Sequence, residues 1–131
     1  MEIELRQVPP DDASTRPETP LGEAIKADSD ALVAYAGQEA VGMGALRLLV
    51  PGTAEIKRMY VVPECRGAGI ARRILEELER RAQQHGLRAV RLEANARLIG
   101  ANRMYREAGY REIPDYNSNP RSDGWYEKVL A

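Results

Sequence analysis

The sequence predicts an α/β (α+β) domain, a mixed and mostly antiparallel central sheet with helices packed on it. Three observations carry that expectation. Apolar residues alternate with polar ones in several short stretches bounded by Pro, Gly or Asn, the mark of half-buried strands. Residues 70–85 and 99–108 instead repeat their apolar positions at helical spacing. The order is strands, helix, strand, helix, strands, and 131 residues suit one domain spanning 1–131 with a core of its own.

Taken in order, residues 2–8 alternate Ile3 and Leu5 with polar neighbours and end at Pro9 and Pro10. Residues 11–20 read as a loop, because Pro17 and Pro20 forbid a long helix, and 21–28 as one short helix. Residues 31–36 and 40–50 form a hairpin around Gly37-Gln38-Glu39. Gly42 and Gly44 in its second strand mark a bulge or a close backbone approach. Pro51-Gly52 turns the chain into a strand over 54–62, where Ile56, Met59, Tyr60, Val61 and Val62 are closed by Pro63. In the helix that follows, Ile70, Ile74, Leu75, Leu78 and Ala82 share a stripe, and Gly86 stops it after His85. Residues 88–95 alternate as a strand. Residues 99–108 carry Ala101, Met104, Tyr105 and Ala108 on one stripe ahead of Gly109, and 110–113 and 125–130 are strands flanking a polar loop.

Composition narrows the function. A formal net charge of −1 gives no reason to expect a nucleic-acid or membrane partner. Cys65 is the sole cysteine, so an internal disulfide is impossible and a reducing cytoplasm is the expected location. Neither a signal segment nor an apolar run of about 20 residues is present, so secretion and membrane spanning are not expected. No His/Cys/Asp cluster has metal-ligand spacing, so no metal is expected.

Between the strand at 54–62 and its helix lies Arg66-Gly67-Ala68-Gly69-Ile70-Ala71. The first N–H groups of a helix lack intrahelical partners and sit at the positive end of its dipole, so they attract an anion. Gly67, Ala68, Gly69 and Ala71 let a phosphate approach the backbone, while Arg66, Arg72 and Arg73 add positive charge. The junction reads as a cradle for a pyrophosphate. It is not a P-loop, since Ile70 and Ala71 follow Gly69 in place of Lys and Ser or Thr, and it departs from the dinucleotide fingerprint at Arg72.

These six residues resemble the (Gln/Arg)-x-x-Gly-x-(Gly/Ala) acyl-coenzyme A signature of the GNAT N-acetyltransferase superfamily. Ala101-Asn102-Arg103-Met104-Tyr105-Arg106-Glu107-Ala108-Gly109-Tyr110 resembles that family's second signature, and together the likeness covers roughly residues 31–110. The resemblance implies a GNAT-like sheet and acetyl-CoA as acyl-donor substrate. It implies that the pantetheine arm pairs with the strand at Met59, Tyr60 and Val61 and that Asn102 bonds the cofactor, the other reading of Asn102 being plain helix-surface polarity; Asn95, at the end of its strand, lines the slot or starts a turn. GNAT domains usually carry two helices between their first two strands; residues 9–30 are too short and too proline-broken for both. A bare sheet face is therefore expected, with a second copy of the chain covering it as a homodimer.

For the chemistry, the resemblance makes Tyr105 the acid that protonates the leaving thiolate; otherwise it is a core tyrosine on the buried stripe. An amine acceptor must lose a proton before it attacks. Glu55 at the start of the central strand is the candidate base, or else a solvated strand-end carboxylate or a partner of Lys57 or Arg58, and Glu93 is the second candidate or a solvent-facing strand residue. Cys65 has no second Cys or nearby His to make it a nucleophile, and His85 belongs with the helix end. Tyr116, Trp125 and Tyr126 border the acceptor or pack the sheet end. The function expected is an N-acetyltransferase acting on a primary amine of a small molecule or peptide by direct attack. The other reading is a non-catalytic CoA-binding or dimerisation module of the same fold.

Overall fold

In the computed structural model, which describes residues 2–8 and 29–130, seven strands hydrogen-bond into one sheet. They are β1 (Glu4–Val8), β2 (Ser29–Ala36), β3 (Glu39–Val50), β4 (Thr53–Val61), β5 (Ala89–Ala94), β6 (Arg111–Glu112) and β7 (Gly124–Val129). Two helices, α1 (Ile70–Gln84) and α2 (Ile99–Glu107), follow β4 and β5. The order across the sheet is β1-β2-β3-β4-β5-β7-β6. Every neighbouring pair is antiparallel except β4 and β5. That one parallel pair requires a crossover between its strands, and α1 supplies it.

The stripe read from the sequence is the face α1 buries. Ile70, Ile74, Leu75, Leu78 and Ala82 pack on Leu32, Ala34 and Leu46, on Ala54 and Ile56 of β4, and on Val90 and Leu92 of β5. Each large aliphatic side chain buried this way contributes about 1.5–3 kcal/mol. Gly86, at φ 76°, takes the left-handed conformation that ends the helix after His85, and Gly109, at φ 97°, does the same for α2. A second tie joins α1 to the far side of the sheet. Glu79 of α1 is buried, accepts a hydrogen bond from Tyr110 Oη at 2.8 Å, and pairs with Lys128 Nζ of β7 at 2.9 Å.

The two glycines of β3 mark a close approach. A Cβ on Gly44 would lie 2.7 Å from Ile74 Cγ2 and 2.7 Å from Met59 Sδ, so only hydrogen fits between the strand and α1. A bulge lies on β3 itself, where the register against β2 passes from Ala34↔Gly42 to Tyr35↔Ala40 and leaves Val41, beside Gly42, as the extra residue; another lies on the partner strand β4. The register passes from Met43↔Tyr60 to Ala45↔Lys57, which sets three steps of β4 against two of β3, and Arg58 takes up the extra residue at φ 59°. A non-glycine residue in that region costs on the order of 1–3 kcal/mol, which the surrounding packing offsets.

On the sheet face away from α1, Ala31, Val33 and Ala45 cluster and are no more than 2% exposed within the single chain. Over β2 and β3, then, the sheet is not the bare apolar surface expected from the sequence. The short helix expected over 21–28 lies outside the described residues. Among the described residues no helix is long and apolar enough to cross a membrane.

Gly44→Ala is expected to lower stability by about 1–3 kcal/mol through overpacking against α1. The midpoint of denaturant unfolding should fall with the m-value unchanged; an unaltered midpoint would mean that the helix shifts without cost.

Candidate active site

Pairing between β4 and β5 runs from Thr53↔Ala89 to Ile56↔Leu92 and stops there, although β4 continues to Val61 and β5 to Ala94. The bulge at Arg58 lies just past the last pair, and a bulged strand bends. A cavity of about 480 Å³ opens between the diverging strands. Strand side chains alternate between faces, so the slot has two chemically different sides. Met59, Leu92 and Tyr105 belong to the α1 side, where they join the core. Glu55, Lys57 and Glu93 stand on the other, where Asn119, Arg121 and Ser122 of the β6–β7 loop complete the wall.

Beyond β4 the chain makes a 3-10 turn at Pro63–Cys65 and then the glycine-rich junction. Gly67 (φ 85°) and Gly69 (φ 81°) are left-handed, and α1 begins at Ile70 with no side-chain cap on its N-terminus. A Cβ at either glycine would meet nothing within 4 Å, so the cradle faces open space. These features suit an anion. The arginines contribute less directly than their spacing suggested. Arg66 Nε donates to Val61 O at 2.9 Å with its guanidinium over the Tyr60 ring, Arg72 Nε lies 3.1 Å from Glu76 Oε1, and Arg73 Nη1 donates to Ile3 O at 3.1 Å. Arg66 and Arg73 are thus hydrogen-bonded within the chain, whereas the buried Arg72 Nε lies close to Glu76 without making a hydrogen bond.

Of the residues singled out in the sequence, Glu55, Met59, Asn95, Asn102 and Tyr105 line the slot. Tyr60 and Val61 lie farther along β4, outside that lining, and Arg66, Gly67, Ala68, Gly69, Ala71 and Arg72 form the separate turn beyond it. Ile70 points into the core, so only its backbone can face a ligand. Asn102 is engaged within the protein. Its Nδ2 donates to Asn95 O and Leu98 O, both at 2.8 Å, and its Oδ1 accepts from Tyr126 Oη at 3.0 Å. It shapes the turn at the slot edge from a buried position, while Asn95 Oδ1 accepts from Arg97 N in the same turn. Tyr126 is a core residue, and Cys65 does not line the slot.

Tyr105 is 8% exposed, its ring 6.0 Å from Tyr110 and 5.8 Å from Tyr126 between centroids. Burial, with Tyr126 adding to it, pushes its phenol above the ordinary tyrosine range, so it holds its proton at neutral pH. On the other side Glu55 is only 4% exposed and is not the solvated strand-end carboxylate that its position allowed. Tyr116 Oη donates to Glu55 Oε2 at 2.6 Å, and Lys57 Nζ stands 3.8 Å from Oε1. Glu93 accepts from Asn117 Nδ2, from Asn119 Nδ2 at 2.7 Å and from Ser122 Oγ at 2.7 Å, so it anchors the loop. These loop contacts were not legible in the sequence; the one local signal was the run of turn-forming Asn and Ser residues at 117–119.

Tyr105, Tyr110 and Tyr116, three of six tyrosines, are all pushed upward, first by burial, with Glu79 adding to it for Tyr110 and Glu55 for Tyr116. Unfolded tyrosines ionise near pH 10, where the folded chain still keeps these protons. Their contribution to stability is complete below about pH 10 and declines as pH rises past it, because the unfolded state then binds fewer protons. Absorbance titration should therefore show tyrosines that ionise only with unfolding; six ordinary titrations in the folded protein would contradict this burial.

A sequence profile of the Acetyltransferase (GNAT) family matches residues 1–110. The chain is 38% identical over 86 residues to the IAA acetyltransferase of Azospirillum brasilense, a match covering 65% of this chain and 56% of that protein. The chain spans about half the length of the curated relatives it matches. Among solved structures, an acyl-CoA N-acyltransferase assignment from Klebsiella pneumoniae superposes with a TM-score of 0.79 at 28% identity, over 98% of each chain. The PaiA N-acetyltransferase of Thermoplasma acidophilum, solved in complex with coenzyme A, shares the fold at a TM-score of 0.79 and 21% identity, over 99% of this chain and 100% of that one. With one signature at the strand–helix cradle and the other on α2 beside the split parallel pair, and with a family match over most of its length, the chain belongs to the GNAT acetyltransferase family.

Proposed function

We propose that this chain transfers an acetyl group from acetyl-CoA to a primary amine of a small molecule or peptide, by direct attack without a covalent enzyme intermediate. The observation that carries this reading is a slot through the sheet with a protonated phenol, Tyr105, on one side and a buried carboxylate, Glu55, on the other. The uncapped N-terminus of α1 suits the diphosphate of the donor. Strand β4 beyond Ile56, released from β5, has backbone groups available to an extended pantetheine arm. The coenzyme A held by the Thermoplasma relative favours the same donor here.

When bound, the donor supplies a thioester carbonyl as electrophile. An alkylammonium acceptor cannot attack until it loses a proton, and Glu55 takes it. The neutral nitrogen then forms the C–N bond, the C–S bond breaks, and Tyr105 gives its proton to the departing sulfur. The surplus proton left on nitrogen returns through water to the Tyr105 oxygen, so one proton is released for each amide made. Direct attack is favoured over an acyl-enzyme because Cys65, the sole cysteine, does not line the slot.

Acetyl-CoA should bind measurably by calorimetry, and Ala68→Glu, which sets a negative charge over the cradle, should weaken that binding tenfold or more, on the order of 1.4 kcal/mol. Tyr105→Phe should lower kcat for amine-dependent thiol release by about 10²-fold with acetyl-CoA affinity retained. Undiminished turnover in Tyr105→Phe would remove the acid role, and absence of acetyl-CoA binding by the parent chain would overturn the reading as a whole.

A further inference from the structure

We propose that Tyr116 is a positioning residue for the acceptor-side carboxylate: its phenol fixes Glu55 Oε2 and leaves Oε1 to receive the proton of the incoming amine. The proposal rests on the N-acetyltransferase reading above and goes beyond it by assigning a residue of the β6–β7 loop to the reaction.

Two carboxylates face the same side of adjacent strands, and their surroundings assign them different tasks. Glu93 accepts three side-chain hydrogen bonds, from Asn117, Asn119 and Ser122, across both of its oxygens. A carboxylate so surrounded has little lone-pair capacity left for a substrate proton. Among the described residues Glu55 accepts one side-chain hydrogen bond, and on one oxygen only, from Tyr116 at 2.6 Å. Its Oε1 has Lys57 Nζ at 3.8 Å, beyond hydrogen-bond length, and the residue lines the slot.

The loop that delivers Tyr116 is itself held in place. Besides Glu93, Asp115 Oδ1 accepts from Asn117 N at 2.9 Å and Ser118 N at 2.7 Å, and Trp125 Nε1 donates to Asn117 Oδ1 at 3.0 Å. Arg91, which faces Glu55 across the β4–β5 pair, pairs with Glu127 at 2.8 Å and lies 5.5 Å over the Tyr116 ring, so one face of the ring is covered by a guanidinium that is itself held. Burial and the neighbouring Glu55 keep the Tyr116 hydroxyl protonated, so it acts only as a donor to that carboxylate. Held this way, Glu55 keeps one rotamer with one usable oxygen aimed along the slot. Glu93, the second candidate base, is the anchor that makes this possible.

The test compares the parent chain with Tyr116→Phe in thiol release from acetyl-CoA, using primary alkylamines and, separately, hydroxylamine, which is largely uncharged at neutral pH and needs no base. Tyr116→Phe is expected to lower kcat for alkylamines about tenfold or more, leave the calorimetric affinity for acetyl-CoA unchanged, and leave hydroxylamine turnover nearly intact. Undiminished alkylamine turnover overturns the proposal, and so does an equal loss with hydroxylamine, which would mark a collapsed loop. If Tyr116→Phe does not fold, Asn119→Ala, which loosens the loop without touching Tyr116, is expected to give the same split, and its absence overturns the proposal. Failure of the parent to release thiol with either alkylamines or hydroxylamine overturns the acetyltransferase reading itself, whereas alkylamine-dependent release unaffected by Tyr116→Phe overturns only the role of Tyr116.

Discussion

The structure depends on a failure of pairing. After Ile56 and Leu92, β4 and β5 cease to share hydrogen bonds, because the extra residue at Arg58 bends β4 out of register with a straight neighbour. A continuous sheet has no passage from one face to the other. Parting one parallel pair near its carboxyl ends creates such a passage and leaves backbone groups available along its edge. The strain at Arg58 is held because Gly44, opposite the bulge, lets α1 and Met59 press directly on the sheet. The bulge, the missing Cβ and the helix approach form one arrangement, and altering any one of them disturbs the slot.

Alternation along the strands then sorts the chemistry. The α1 side supplies apolar lining and a buried phenol, surroundings that keep a proton on oxygen and exclude water. The opposite side supplies charge: Glu55, Lys57, Glu93 and Arg121. Two carboxylates two residues from each other in register differ because of what the loop brings to them. Three donors converge on Glu93 and one phenol reaches Glu55, so neighbouring strands carry an anchor and a candidate base.

Away from the slot, a buried ionic cluster fixes the geometry. Glu79 of α1, Lys128 of β7 and the hydroxyl of Tyr110 satisfy one another across elements far apart in sequence. Such a cluster adds little net stability, yet removing one partner strands the others in a poorly solvated place. Its effect is to set how α1 lies against the β7 side of the sheet. Tyr105, packed between Tyr110 and Tyr126, takes its place from that arrangement.

The elements of the fold were legible in the chain because they are local. The stripe of Ile70, Ile74, Leu75, Leu78 and Ala82, the stops at Gly86 and Gly109, and the turns at Gly37 and Pro51-Gly52 act within a few residues of themselves. The cradle and Tyr105 were legible for the same reason, since both sit within continuous motifs. Gly42 and Gly44 announced a close approach but not what approached, and beside the bulge on β3 at Val41 a second one fell on the partner strand. The burial of Glu55, the internal engagement of Asn102 and the partners of Arg66, Arg72 and Arg73 depended on long-range or folded-back contacts that spacing does not encode. Tyr116 reaches Glu55 across 61 positions of chain, and only the folding of the β6–β7 loop onto the sheet decides which oxygen it holds. The sequence by itself determined which residue types are present and the local conformation around each. Tertiary structure decided which of them are dry, paired and aimed into the slot, because solvent exclusion and hydrogen-bond direction arise only when distant segments meet.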